Sequence, residues 1–185
     1  MKTILRITMM VLMLIGGTSE GFSQKKTKKT VVVQNRSISR AKVVYKTPRK
    51  KVVTVRSLPK STIAIKHNGA TVHYDQNHFY RMNGGRYMPI VPSIGLHIKA
   101  LPVGYRVVIF NGRRYYNSNG VFFVKMNNDY EVVNPEIGTI TYELPSDAEK
   151  VLVDGQTMYE YNNVLYEKIQ VDGTRAYEVI GFVEN

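Results

Sequence analysis

Val107 to Phe123 reads VVIFNGRRYYNSNGVFF, and its punctuation decides the fold. An apolar, β-branched run meets Asn111-Gly112, a second run carries Tyr115-Tyr116, and Gly120 precedes a third run ending in Phe122-Phe123. Asn-Gly between two such runs suits a two-residue type I′ hairpin, which requires positive φ at both central positions. In that hairpin Phe110 pairs with Arg113, Val108 with Tyr115 and Val107 with Tyr116.

Working outward, the stretch returns in degraded form at a step of 43 residues. Gly112 has counterparts at Gly69 and Gly155, preceded by Asn68 and Asp154. Leu58-Pro59, Leu101-Pro102 and Leu144-Pro145 form one column, Tyr80, Phe123 and Tyr166 another, and Pro92-Ser-Ile-Gly95 returns as Pro135-Glu-Ile-Gly138. A shared step across chemically distinct positions signals copies of one supersecondary unit. The expected units are 58–100, 101–143 and 144–185, the last one lacking the Pro-x-Ile-Gly turn and carrying an insertion near Val171 to Thr174.

The hydrophobic period within a unit is two, and no apolar stripe at helical spacing persists beyond a turn. The expected class is all-β: three tandem units of about five short strands, small barrels or a continuous meander. Units of ~40 residues bury too little surface alone, so they are expected to share a core. Extending the hairpin register to each unit places Ile65, Val72, Tyr74, Val108, Phe110, Tyr115, Val151, Val153 and Met158 on the core face. The opposite face, read as partly wet, carries Val107, Ile109, Arg114, Leu152, Thr157 and an aromatic column, His73, Tyr116 and Tyr159.

The formal charge of +12 is unevenly placed. From Gln24 to Lys60 there are 13 Lys or Arg and no acid, whereas Ser61 to Asn185 holds 11 basic and 13 acidic residues. Ahead of this basic arm, Met1 to Ser23 has Lys2 and Arg6, the apolar run Ile7 to Ile15, then small and polar residues, the pattern of a secretory signal peptide. The expected organisation is signal peptide 1–23, disordered basic arm 24–47 and β domain 48–185, with export to the periplasm or cell envelope and no transmembrane segment in the mature chain. Along the basic stretch Gln24 to Lys60, Val31 to Val33, Val43 to Tyr45 and Val52 to Val55 are β-prone runs bracketed by Lys and Arg, charges that discourage edge-to-edge pairing.

Lys25, Lys26, Lys28, Lys29, Arg49, Lys50 and Lys51 are candidates for contact with an anionic envelope component, and no specific nucleic-acid partner is implied. The other reading of the arm is a solubilising tether. His73, Tyr116 and Tyr159 are candidates for stacking on a glycan or peptide, against a structural reading in which tyrosines simply pair across strands. Histidines 67, 73, 78 and 97 all lie in the first unit, but their columns hold Phe110, Tyr116, Val121 and Ile140 in the second, so no metal site and no cofactor are expected. With no cysteine and no Gly-x-Ser-x-Gly elbow, nucleophilic catalysis has no evident apparatus. The carboxylate pairs Glu131 with Glu136 and Asp147 with Glu149 flank turns and read as surface charge. The expected function is a non-catalytic envelope-associated binding or scaffolding module. A soluble glycan- or peptide-binding protein is the alternative, and a hydrolase ranks below both.

The pattern NG-x-x-YY-x-x-x-G-x-FF, followed by Tyr130-Glu-Val-Val-Asn-Pro-x-Ile-Gly and Leu-Pro, resembles a bacterial family of uncharacterised exported proteins. Its members carry a signal peptide, a basic and often Pro-rich arm, and β repeats built on Tyr-Tyr-x-x-x-Gly-x-Tyr-Tyr and Pro-Pro-x-Gly. Here the paired prolines are single, Val91-Pro92 and Asn134-Pro135, and the second aromatic pair is Phe122-Phe123. The resemblance implies topology and location, with no assigned activity.

Overall fold

A computed structural model describes residues 36–46, 52–75 and 78–184. Residues 1–23, expected to be a signal peptide, and residues 24–35 and 47–51 lie outside them. The first described strands are β1 (Ser37–Ser39) and β2 (Val43–Tyr45), joined by a 3₁₀ turn, Arg40–Lys42. A four-stranded meander follows: β3 (Ile63–His67), β4 (Ala70–Asp75), β5 (His78–Asn83) and β6 (Arg86–Ile90). The short β7 (His97–Ile98) precedes a second meander, β8 (Arg106–Phe110), β9 (Arg113–Ser118), β10 (Val121–Met126) and β11 (Asp129–Val133). Then β12 (Ile140–Thr141) precedes β13 (Glu149–Val153), β14 (Gln156–Tyr161), β15 (Val164–Val171) and β16 (Thr174–Glu184). The described residues contain no α-helix, and the fold is all-β.

The Asn-Gly and Asp-Gly turns produce the expected hairpins. Asn111 and Gly112 have φ of 48° and 74°, Asn68 and Gly69 49° and 75°, Asp154 and Gly155 49° and 79°. Phe110 pairs with Arg113 and Val108 with Tyr115; Ile65 pairs with Val72, and Val151 with Met158. The face assignment follows from that register. Tyr115 and Val151 are fully buried, Val72, Val153 and Met158 nearly so, while Val107 and Ile109 face solvent.

The opposite face is drier than the alternation implies. In β10 the run Val121-Phe122-Phe123-Val124 is buried on both sides. Phe122 packs with Tyr115 and Val124, whereas Phe123 packs with Val72 and Phe79 of the first meander. A continuous apolar strand is what a two-sided core requires. The first and second meanders thus share one core, and Phe79 and Phe123 meet in it.

Each meander receives one short preceding segment on its last strand. Val55 bridges Tyr87, β7 pairs with β11 at Ile98 and Tyr130, and β12 pairs with β16 at Thr141 and Tyr177. Sheet membership therefore changes before residues 100 and 143, because His97–Ile98 and Ile140–Thr141 belong to the sheets that follow them.

The expectation of disorder through residue 47 fails for residues 36–46. Strand β1 pairs in parallel with β16, and β2 pairs antiparallel with β13, so one short strap reaches both edges of the last meander and closes it in a barrel-like ring. Val43 is buried among Val151, Val153, Met158, Leu165 and Val183. The N–H of Lys46 donates to the Lys150 carbonyl at 2.9 Å, and that of Phe182 to the Arg36 carbonyl at 2.9 Å. Gly181 permits this approach: a Cβ there would lie 2.5 Å from the Arg36 carbonyl oxygen. Alternating basic and apolar residues let the strap bury Val43 while Arg36, Lys42 and Lys46 stay exposed.

Candidate functional site

His73, Tyr116 and Tyr159 lie one in each of the three sheets. Each takes an aromatic partner within its own sheet, edge to face, from one recurring position. His73 meets Tyr87 at 5.0 Å between ring centroids, Tyr116 meets Tyr130 at 5.4 Å, and Tyr159 meets Tyr177 at 5.4 Å. Interplanar angles of 81°, 83° and 80° are the T-shaped geometry that the ring quadrupole favours, contributing ~0.5–1.5 kcal/mol beyond burial. Tyr116 also receives Tyr105 at 5.5 Å, so a three-ring ladder runs across the second sheet with Tyr105 at its exposed end. Ring faces already engaged in this way offer a ligand edges and hydroxyls more than open stacking planes.

The histidines are separated by the fold. His67 and His73 point to opposite faces of one hairpin, and His78 and His97 are exposed. Among the described residues no group of three or more His, Asp or Glu could hold a metal ion. Lys25, Lys26, Lys28, Lys29, Arg49, Lys50 and Lys51 lie outside the described residues.

Two grooves were not visible in the sequence. The first, of about 430 Å³, lies where the three sheets meet, with Phe79 and Ile90 from the first, Val121 from the second, and Glu149 and Tyr161 from the third. Its polar lining is Asp147, Glu149, Asn119 and His78. Burial, reinforced by the charges of Asp147 and Glu160, pushes the Tyr161 phenol well above its ordinary value, keeping it a neutral hydroxyl. The pair Asp147 and Glu149, read in the sequence as surface charge, thus lines an apolar concavity. The Leu-Pro column marks the turn that carries Asp147, in which the Ala148 N–H donates to the Pro145 carbonyl at 3.0 Å.

The second groove, of about 590 Å³, runs along the outer edge of β8, whose five residues line one wall, with Gly138, Ile140, Thr141 and Tyr142 on the other. Its closed end is where the Pro-x-Ile-Gly turn packs on the hairpin: a Cβ on Gly138 would sit 2.7 Å from the Phe110 ring. Glu136 of that turn accepts a hydrogen bond from the Tyr115 hydroxyl at 3.0 Å and one from Asn111 Nδ2 at 3.3 Å. Burial, then the bond to Glu136, raises the Tyr115 pKa.

With the β architecture and its turns in place, a family model matches residues 42–183, that of a family of unknown function, DUF6515. The chain belongs to this family. The match opens at Lys42 and takes in β2, so the strap's second strand counts within the DUF6515 region and not ahead of it. No curated protein and no solved structure matches the chain. Membership in DUF6515 carries the fold region and no activity.

Proposed function

We propose that this DUF6515 protein is a non-catalytic binding or scaffolding module of the cell envelope, three copies of one β unit whose basic arm contacts an anionic surface. The observation that carries the reading is the charge division: 13 basic residues and no acid from Gln24 to Lys60, against a slight acidic excess thereafter. The strap adds a mechanical reason. Because β1 and β2 are stitched to both edges of the last meander, a load on the arm passes into the sheet instead of peeling a tether. Arg36, Lys42 and Lys46 remain exposed along the strap and extend the basic track towards the domain. Each Lys or Arg near an anionic bilayer contributes ~1 kcal/mol, so the arm alone supplies enough attraction for salt-sensitive adsorption.

Sedimentation with phosphatidylglycerol vesicles tests it, with phosphatidylcholine vesicles as the neutral control. Binding to the anionic vesicles is expected at 50 mM salt, at least tenfold weaker at 200 mM, and lost when residues 24–35 are deleted. Equal binding to both vesicles, or binding unchanged by the deletion, overturns the reading. The groove at the three-sheet junction favours a second reading, a soluble peptide-binding protein. Its apolar floor beside Asp147 and Glu149 suits an extended peptide carrying a basic side chain.

A further inference from the structure

Strands β8 and β13 hold the same position in hairpins of one register, since Phe110 pairs with Arg113 as Val153 pairs with Gln156. The outer edge of β13 is covered by β2, in which Val43, Val44 and Tyr45 pair antiparallel with Val153, Leu152 and Val151. The outer edge of β8 carries no strand among the described residues. It opens instead on the groove of about 590 Å³, with Val107 48 % and Ile109 64 % exposed. An open edge with unpaired backbone groups and apolar side chains is a template for one more strand.

At the Arg106 end the groove adjoins a smaller, polar cavity of about 80 Å³. Arg106 and Thr141 line both, and Asn117 and Glu143 line the smaller one. Asn117 is 8 % exposed, and its Nδ2 has no hydrogen-bond partner. A buried amide donor left without an acceptor is costly, which singles this one out as a group aimed at a ligand. Beside it Arg106 donates from Nη2 to Glu143 Oε1 at 2.8 Å, and both side chains are well exposed. A pair of that kind contributes little and exchanges readily for another carboxylate.

Charge sets this end of β8 apart from its counterpart. Arg106 pairs with Asn117 across the hairpin, where the third unit, 43 residues on, pairs Glu149 with Glu160. The strand seated on β13 is basic, from Lys42 to Lys46, and runs antiparallel towards that acidic end, the Lys46 N–H donating to the Lys150 carbonyl at 2.9 Å. On β8 the same position offers donors in place of acceptors, so the strand that suits it runs the same way and ends in an acid. An acyl chain would satisfy none of the backbone groups along the edge, whereas a peptide pairs with them.

We propose that the outer edge of β8 binds the C-terminal end of an extended peptide rich in β-branched residues, laid antiparallel with its free carboxylate on Arg106 and Asn117 Nδ2. Val107 and Ile109 then gain apolar cross-strand neighbours. Binding here needs neither the basic arm nor an anionic surface, so it stands apart from the membrane reading.

The probe is acetylated Thr-Val-Thr-Val-Val with a free C-terminal carboxylate; it has no basic side chain for the carboxylates of the junction groove to select. Titrated into the full chain in a calorimeter, it is expected to bind roughly tenfold tighter than the same peptide ending in an amide, the worth of one hydrogen bond to a charged group. Arg106→Gln is expected to erase that difference, and Glu143→Gln, which removes the competing carboxylate, to tighten binding. The peptide is also expected to slow amide exchange in residues 106–110 while leaving β15 unchanged. Equal binding of acid and amide, a difference that survives Arg106→Gln, or unchanged exchange in β8 overturns the proposal. So does dodecanoate binding as tightly as the peptide, which would make the groove an acyl-chain site.

Discussion

Val151 on β13 is fully buried where Val108 on β8 is half-buried, and Leu152 is half-covered where Ile109 is 64 % exposed. The two strands come from hairpins with the same turn and the same register. What differs is the neighbour each outer edge receives. The second meander is followed by another, and the Pro-Glu-Ile-Gly turn leading to it packs on Phe110. On the third meander the strap from the arm occupies that edge. The comparison shows that burial along these hairpins is set by what seals the edge, and that the strap of residues 36–46 seals the outer edge of β13.

Removing the strap is the strongest way to break the comparison. Deleting residues 36–46 strips Val43, Ile38 and Tyr45 from the last core, and at ~1.5–3 kcal/mol for each fully buried side chain the loss is expected to be about 3–5 kcal/mol. The double substitution Val107→Ser, Ile109→Ser on the open edge is expected to cost under about 1 kcal/mol. Chemical denaturation of the two variants measures the difference.

A smaller intervention keeps the strap but pushes it away. Gly181→Val would drive a side chain into the Arg36 carbonyl, an overpacking cost of about 1–3 kcal/mol. In a chain already lacking residues 36–46 the same substitution is expected to be nearly silent, and that non-additivity in a double-mutant cycle is the signature of direct contact.

The aromatic pairs sharpen the comparison by being alike in both sheets. Tyr159→Leu loses one edge-to-face contact and Tyr116→Leu two, the second with the exposed Tyr105, and each contact between the sheet strands is expected to be worth ~0.5–1.5 kcal/mol by thermal unfolding. A large cost in one sheet alone would mean that the pairs do different jobs.

The smallest effect is electrostatic and belongs to the third sheet. Glu178 on β16 stands directly opposite Glu167 on β15. Burial, then the charge of Glu167, raises its pKa above the ordinary glutamate value. The folded protein holds this proton more tightly than the unfolded chain, so stability falls as pH rises from the ordinary glutamate range through the raised folded value, and then levels off. Because Glu178 is only partly buried the slope is expected to be shallow, and Glu178→Gln should flatten it in melting curves across that range.

The hairpins were legible because Asn-Gly and Asp-Gly admit few alternatives: positive φ at two successive residues fixes the turn, the turn fixes the pairing, and Val108 opposite Tyr115 follows. The two-sided burial of β10 was legible only in part. Phe122-Phe123 puts two large apolar residues at successive positions, but a period of two assigns one face to the core, and Phe123 owes its burial to Val72 and Phe79 some 50 residues earlier. The ring pairs escaped because Tyr130 lies diagonally across two strands from Tyr116, beyond what adjacent-strand register relates. The strap escaped because its charges read as solvated arm; Lys42-Val-Val-Tyr-Lys46 is also a strand that buries one residue in two. Asp147 and Glu149 read as turn charges until three sheets met around them, an arrangement that depends on packing between units.

Amide hydrogen exchange of the full chain, read over residues 36–46, tests the central claim that the arm's base is part of the fold. The N–H of Lys46, bonded to the Lys150 carbonyl, and the β2 amides paired with β13 are expected to exchange as slowly as those of β14 and β15. Exchange at the rate of an unfolded peptide throughout residues 36–46, with β13 and β16 still protected, would contradict it.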